Sequence, residues 1–152
     1  MNLQTLQRLL SPALPKLACP RCGGAFTLAG TSLRCTNNHC YDLCAKGYVN
    51  LAPQHDQRKE KYDAALFESR NRILSDGFYQ PVLDAIACML REKHHDEPFT
   101  LLDAGCGEGY YTRQLARQFP AATMIGLDLS RDGIRAAARQ PGNVLWLVGD
   151  LK

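Results

Sequence analysis

Four cysteines and a histidine fall within residues 19–40, in the stretch CPRCGGAFTLAGTSLRCTNNHC. Cys19 and Cys22 share a tight Cys-Pro-Arg-Cys knuckle, and Cys35 opens a second set that offers His39 or Cys40. Two pairs of ligands meeting across a loop is the layout of a tetrahedral structural zinc site, with all four coordination places taken by protein. An imidazole among the thiolates, and no other sign of redox chemistry, favours zinc over an iron–sulfur cluster. Spacing alone leaves His39 and Cys40 both open as the fourth ligand. Cys44, Cys88 and Cys106 read instead as small apolar residues for burial, Cys88 on a helix face and Cys106 in a glycine-rich turn.

That turn, in LLDAGCGEGYY at residues 101–111, is the second place where chemistry is expected. Gly105, Gly107 and Gly109 separate an apolar run from a helix that opens near Tyr110. Glycine there permits positive φ and close approach of backbone to a ligand, and the helix start presents free N–H groups. A dinucleotide fingerprint would require glycine where Tyr110 stands. The spacing Asp-x-Gly-x-Gly-x-Gly is similar instead to the first motif of class I S-adenosylmethionine-dependent methyltransferases. Asp128, closing the run IGLDLS, stands where a carboxylate can accept both hydroxyls of a cofactor ribose. Asp150, after VLWLVGD, stands where such folds meet the adenine end. Asp103, Asp128 and Asp150 would thus share the rim where open α/β sheets bind ligands. The competing reading makes each aspartate a helix N-cap.

The elements that must position these residues follow from periodicity. FTLLDAG, ATMIGLDLS and NVLWLVGD read as strands, alternating with helices over YYTRQLARQF and RDGIRAAARQ. This βαβαβ order implies a parallel sheet with helical crossovers. Upstream, Tyr62, Leu66, Phe67, Ile73 and Leu74 recur at helical spacing. So do Val82, Leu83, Ile86, Met89 and Leu90, in a helix from Tyr79 to about Arg91 with Pro81 in its first turn. The cysteine-rich segment, dense in Gly, Asn, Thr and Pro, reads as loops and short hairpins that need a brace. The fold class expected is α/β: a small N-terminal zinc-binding module followed by an incomplete Rossmann-like class I methyltransferase domain. Boundaries are set at 1–18 for an amphipathic extension, 19–53 for the zinc module, 54–98 for a helical linker region and 99–152 for the methyltransferase part.

The 152 residues carry a net charge of +3, unevenly spread. Residues 1–48 hold five basic groups against Asp42 alone, while the remainder holds thirteen basic and fourteen acidic groups. The basic excess at the cysteine-rich end suits a polyanionic partner or a merely solubilising surface. No apolar run approaches the length of a membrane span, and the opening MNLQTLQRLL lacks the basic start of a signal peptide. A cytoplasmic setting is expected, in which the seven cysteines serve metal ligation or burial, not disulfides.

Four stretches together carry a more specific resemblance. The cysteine knuckle, AKGYVNLAP at 45–53, ILSDGFYQPV at 73–82 and LLDAGCGEGYYT at 101–112 resemble the 23S ribosomal RNA guanine-N1 methyltransferase family, the RlmA or RrmA group. The resemblance runs from about Cys19 to Asp150. It implies an enzyme that uses S-adenosylmethionine to methylate guanine N1 in a hairpin loop of 23S rRNA, with zinc in its N-terminal domain and a homodimeric assembly. It implies Cys19, Cys22, Cys35 and His39 as metal ligands, and cofactor contacts at Gly107, Glu108 and Tyr79. The family chain is considerably longer, so a fragment or a truncated product is expected, with one sheet edge unpaired. No catalytic base is assigned. Two other readings stand beside this one: a non-catalytic zinc module that binds RNA beside a remnant methyltransferase half, and a methyltransferase for small molecules.

Overall fold

The computed structural model describes residues 2–54, 64–95 and 97–151. Helix α1, Leu3–Ala13, starts at Asn2, whose side chain accepts a hydrogen bond from the Thr5 amide at 2.8 Å. This capping ties down one of the otherwise unpaired amides of the first turn. Four strands follow: β1 Phe26–Ala29, β2 Ser32–Cys35, β3 Cys40–Cys44 and β4 Tyr48–Asn50. Two helices, α2 Ala64–Ser75 and α3 Gln80–His94, lead into β5 Thr100–Ala104, α4 Tyr110–Gln118, β6 Thr123–Asp128, α5 Arg131–Arg139 and β7 Val144–Val148. The three strands and two helices expected after residue 98 are all present, with ends shifted by one or two residues.

The strands form one seven-stranded sheet in the order β1-β2-β3-β4-β7-β6-β5. From β1 to β4 the pairing is antiparallel, as hairpin connections dictate, and from β4 onward it is parallel. The cysteine-rich segment is therefore strand-built and continues the Rossmann sheet. Tyr48, Val49 and Asn50 of β4 lie beside Trp146, Leu147 and Val148 of β7. β5 forms the far edge, and Leu102 on it is 52% exposed, so this strand lacks the two-sided burial that its apolar run predicts.

Two cores fill the two faces. One gathers Leu6, Leu10 and Ala13 of α1, Phe26, Leu33, Tyr41 and Val49 of β1–β4, and Ile125, Leu145 and Leu147 of β6 and β7. The N-terminal extension is thus built into the core, with Leu6, Leu10 and Ala13 fully buried. The other core joins Leu83 and Ala87 of α3, Leu115 of α4, Ile134 and Ala137 of α5, and Trp146.

The linker helices depart from their predicted faces. In α2 the structure buries Phe67 and Leu74 but leaves Leu66 and Ile73 exposed, and the predicted Tyr62 lies outside the described residues. In α3 Leu83 is buried whereas Val82 and Met89 face outward. Cys88, expected to be buried, is exposed on α3, where its thiol reaches Glu92 at 3.5 Å. The apolar residues of these helices outnumber the neighbours available to cover them.

Candidate metal centre and glycine-turn site

The knuckle before β1 and the turn that follows β2 bring Cys19, Cys22, Cys35 and His39 together, their ligand atoms all within 4.8 Å of one another. The Cys22 and Cys35 sulfurs are 3.7 Å apart, and His39 Nδ1 lies 3.5 Å from the Cys19 sulfur and 3.4 Å from that of Cys35. Zinc bonds of about 2.3 Å to sulfur and 2.0–2.1 Å to nitrogen imply tetrahedral edges of about 3.8 Å between sulfurs and about 3.5 Å between sulfur and nitrogen. The donor set and spacing fit that ion. Cys40, on the exposed side of β3, lies outside the group, which answers the question that spacing left open.

The surroundings favour the thiolate at Cys19 but not at Cys35. The His39 amide donates to the Cys35 sulfur at 3.3 Å. Burial pushes the Cys19 thiol up, but the Tyr41 hydroxyl and contacts from the Arg21 and Cys22 backbone and the Cys22 side chain outweigh it and bring Cys19 down to about 6. Burial leaves the Cys35 thiol above its ordinary value. Tyr41, absent from the predicted set, is buried with its hydroxyl 3.5 Å from the Cys19 sulfur. Its only sequence signal is an aromatic residue two positions after His39.

In the glycine turn, Gly105, Gly107 and Gly109 all have positive φ, at 82°, 56° and 69°. Their reasons differ. A Cβ at Gly105 would meet open space, one at Gly107 would touch the Phe67 ring of α2 at 3.4 Å, and one at Gly109 would overlap Trp146. Gly109 is therefore demanded by packing as well as by its left-handed backbone at the start of α4.

Asp128 organises the turn from the neighbouring strand. One of its oxygens accepts from the Gly107 amide at 2.7 Å and the other from the Ser130 amide at 2.8 Å. Ser130, not Asp128, caps α5, its hydroxyl accepting from the Gly133 amide at 3.3 Å. A carboxylate offers about four lone-pair directions, so each Asp128 oxygen retains one for a further donor. Asp103, next to last in β5, accepts from the Thr112 hydroxyl at 2.5 Å. Burial, with Asp128 nearby, holds its carboxyl above the ordinary range despite that bond. Burial, helped by both aspartates, also pushes the Cys106 thiol far up, so it is an inert packing group, as expected. Asp150 follows β7 by two residues and is exposed, which completes a row of acids along one rim.

Glu108 and Tyr79 stand differently from that row. The Glu108 side chain turns inward, 3% exposed, where Arg70 lies 3.4 Å from its Oε2, while Arg113 donates to its backbone carbonyl. A cavity of about 200 Å³ lies on this inner side, lined by Phe67, Asn71, Glu108, Arg113 and Arg135, and none of the three rim aspartates lines it. Tyr79 precedes α3, is 39% exposed and packs edge-on against Phe78 at 5.1 Å.

A metal-binding ribbon fused through its sheet to a Rossmann-type glycine turn defines the front of a class I methyltransferase fold. Residues 17–60 match the zinc-ribbon family described as "RlmA, N-terminal", and residues 101–152 match a family described as "Methyltransferase domain". Its relatives by sequence include 23S rRNA (guanine-N1) methyltransferases, and, over shorter or weaker matches, malonyl-[acyl-carrier protein] O-methyltransferases and trans-aconitate 2-methyltransferases. It is 40% identical over 140 residues to the putative 23S rRNA (guanine-N(1)-)-methyltransferase YxjB of Bacillus subtilis, covering 88% of this chain and 49% of that protein. It is 31% identical over 139 residues to the 23S rRNA (guanine(748)-N(1))-methyltransferase of Streptomyces fradiae, covering 89% and 48%. The chain spans about half the length of these curated relatives. Among solved structures, the plantazolicin methyltransferase BpumL in complex with SAH is 24% identical, with a TM-score of 0.45 over 54% of this chain and 33% of that one. Among the described residues no helix is long and apolar enough to cross a membrane.

Proposed function

We propose that this chain supplies the zinc ribbon and the cofactor turn of an S-adenosylmethionine-dependent enzyme that methylates guanine N1 in a hairpin loop of 23S rRNA. The observation that carries it is the 40% identity to one rRNA methyltransferase running through both the ribbon and the turn. Cys19, Cys22, Cys35 and His39 would hold the zinc, which braces the ribbon and performs no chemistry. Gly105, Gly107, Gly109 and the backbone of Glu108 would receive the amino-acid end of the cofactor, together with Asp103 and Tyr79. Asp128 would accept its ribose hydroxyls, and Asp150 would border its adenine.

Bound S-adenosylmethionine would supply an electrophilic sulfonium methyl; as guanine N1 bonds to that carbon, the carbon–sulfur bond would break to release S-adenosylhomocysteine, and the proton carried by N1 would pass to a base or to water. The chain's part is alignment: a turn fixed by Asp128 and Ser130 fixes where the methyl points. A hairpin-loop base can be splayed out without opening a duplex. The basic ribbon would grip the RNA backbone, so affinity falls as salt rises. The protein would act in the cytoplasm, where its RNA is, as a homodimer readable by sedimentation velocity.

Because N1 methylation blocks the Watson–Crick edge, primer extension along 23S rRNA tests this in the cell. Disrupting the gene is expected to remove one strong stop at a guanine; an unchanged pattern of stops overturns the RNA assignment. Calorimetry of the zinc-loaded chain tests the cofactor separately. Binding of S-adenosylmethionine that weakens about tenfold or more in Asp128→Asn is expected, since a charged acceptor is lost; no binding by a folded full-length relative refutes the cofactor site.

A further inference from the structure

Tyr41 is held from two sides in the ribbon core. Its ring meets Phe26 edge-on, with centroids 5.6 Å apart and planes at 88°, and only 8% of the residue is exposed. Its hydroxyl ends 3.5 Å from the Cys19 sulfur, and Cys19 itself is 2% exposed. A phenol donates readily and a thiolate accepts, so the direction of this bond follows from the chemistry whenever Cys19 is ionised. The two other sulfurs have different surroundings: Cys35 takes a backbone amide from His39, while Cys22 is exposed. Among the described residues, Cys19 is thus the one sulfur of the set with a buried side-chain hydroxyl against it.

We infer that Tyr41 is a positioning residue of the metal centre, donating its hydroxyl proton to the Cys19 sulfur and so fixing that ligand and slowing loss of the metal. The inference rests on the reading of the four-residue cluster as a zinc site. Donation draws electron density from the sulfur and makes it a weaker base, so proton attack and alkylation at the metal-bound sulfur both slow. It also holds the sulfur's direction, as outer partners do for other metal ligands. Phenylalanine at position 41 preserves the ring and its contact with Phe26 while deleting the donor.

The test compares zinc-loaded wild-type chain with Tyr41→Phe and with Tyr48→Phe, a control that removes another buried tyrosine hydroxyl, beside Cys44, outside the ligand set. Both variants are expected to carry one zinc per chain. Transfer of zinc to a coloured chelator should be about tenfold faster in Tyr41→Phe alone. With cobalt in place of zinc, the sulfur-to-metal charge-transfer band should move to lower energy in Tyr41→Phe and stay in place in Tyr48→Phe. Loading the unmutated chain with cadmium-113 gives a check that needs no variant: the Tyr41 hydroxyl proton should show coupling to the metal across the hydrogen bond. Equal release rates with an unmoved band, or no coupling in the cadmium form, overturn the inference while leaving the zinc site intact. A chain that binds no zinc at all removes the metal reading itself.

Discussion

Val49, in the last strand of the ribbon, lies in parallel register beside Leu147 of the third Rossmann strand, and both are shut off from water. Ribbon and Rossmann strands share one core across this seam, so they are expected to unfold together. Leu147→Ala should cost about 2–5 kcal/mol, the usual loss for an aliphatic core truncation. Chelating the zinc should lower the melting temperature reported by Trp146, the single tryptophan, which sits on β7 itself. Emission from Trp146 and release of metal should follow one curve; a tryptophan transition unmoved by chelator would show that the seam does not couple them.

Helix α1 covers the same core, and Leu10, like Leu6, is fully buried in the cluster that joins strands from both parts. Leu10→Ala is expected to destabilise the chain by about 2–5 kcal/mol in urea unfolding, whereas the half-exposed Leu9 should give a smaller loss. Equal, small effects at both positions would mean that the helix merely rests on the surface.

The three glycines of the turn are separable by substitution. Gly105→Ala meets open space and incurs only left-handed backbone strain, about 1–2 kcal/mol. Gly109→Ala carries similar strain and also drives a methyl into Trp146, adding about 1–3 kcal/mol of overpacking. Thermal melts should therefore rank Gly109→Ala well below Gly105→Ala, with altered Trp146 emission in the former alone. The reverse order would refute the packing role of Gly109.

Asp103 gives a pH dependence of defined sign. Its folded-state carboxyl titrates above the ordinary value of 3.8, because burial, and secondarily Asp128, disfavour the charge more than Thr112 supports it. A raised value means that the folded form holds its proton more tightly than the unfolded form does. The contribution to stability is therefore fully present below 3.8 and lost as pH rises through the folded-state value. Relative to wild type, Asp103→Asn should thus gain stability on going from pH 3.5 to pH 7, while its binding of S-adenosylmethionine weakens. Melting temperatures of the two proteins that stay parallel across this range would contradict the assignment.

What was legible in the sequence was local. The cysteine spacing and the glycine turn each lie within about twenty residues, and short-range geometry alone brings their members together. His39 is separable from Cys40 only by resemblance, because they are adjacent and the choice depends on His39 lying in the turn before β3 while Cys40 opens that strand on its exposed side. The β4–β7 seam joins residues almost a hundred positions apart, and no periodicity in a three-residue strand announces it. Leu6 and Leu10 signalled a helix but not what it would cover. The partial burial of the predicted faces of α2 and α3 has the same cause, since spacing tells which apolar residues align but not whether a neighbour exists to meet them. Phe67 over Gly107, and Trp146 under Gly109, could be found only once the sheet was assembled.

The buried seam also bears on when the metal matters. Cys19, Cys35 and Tyr41 belong to the same packed cluster as Leu145 and Leu147, so a chain synthesised without zinc would meet its difficulty while β7 is docking, before any turnover begins. Zinc supply would then set how many chains mature.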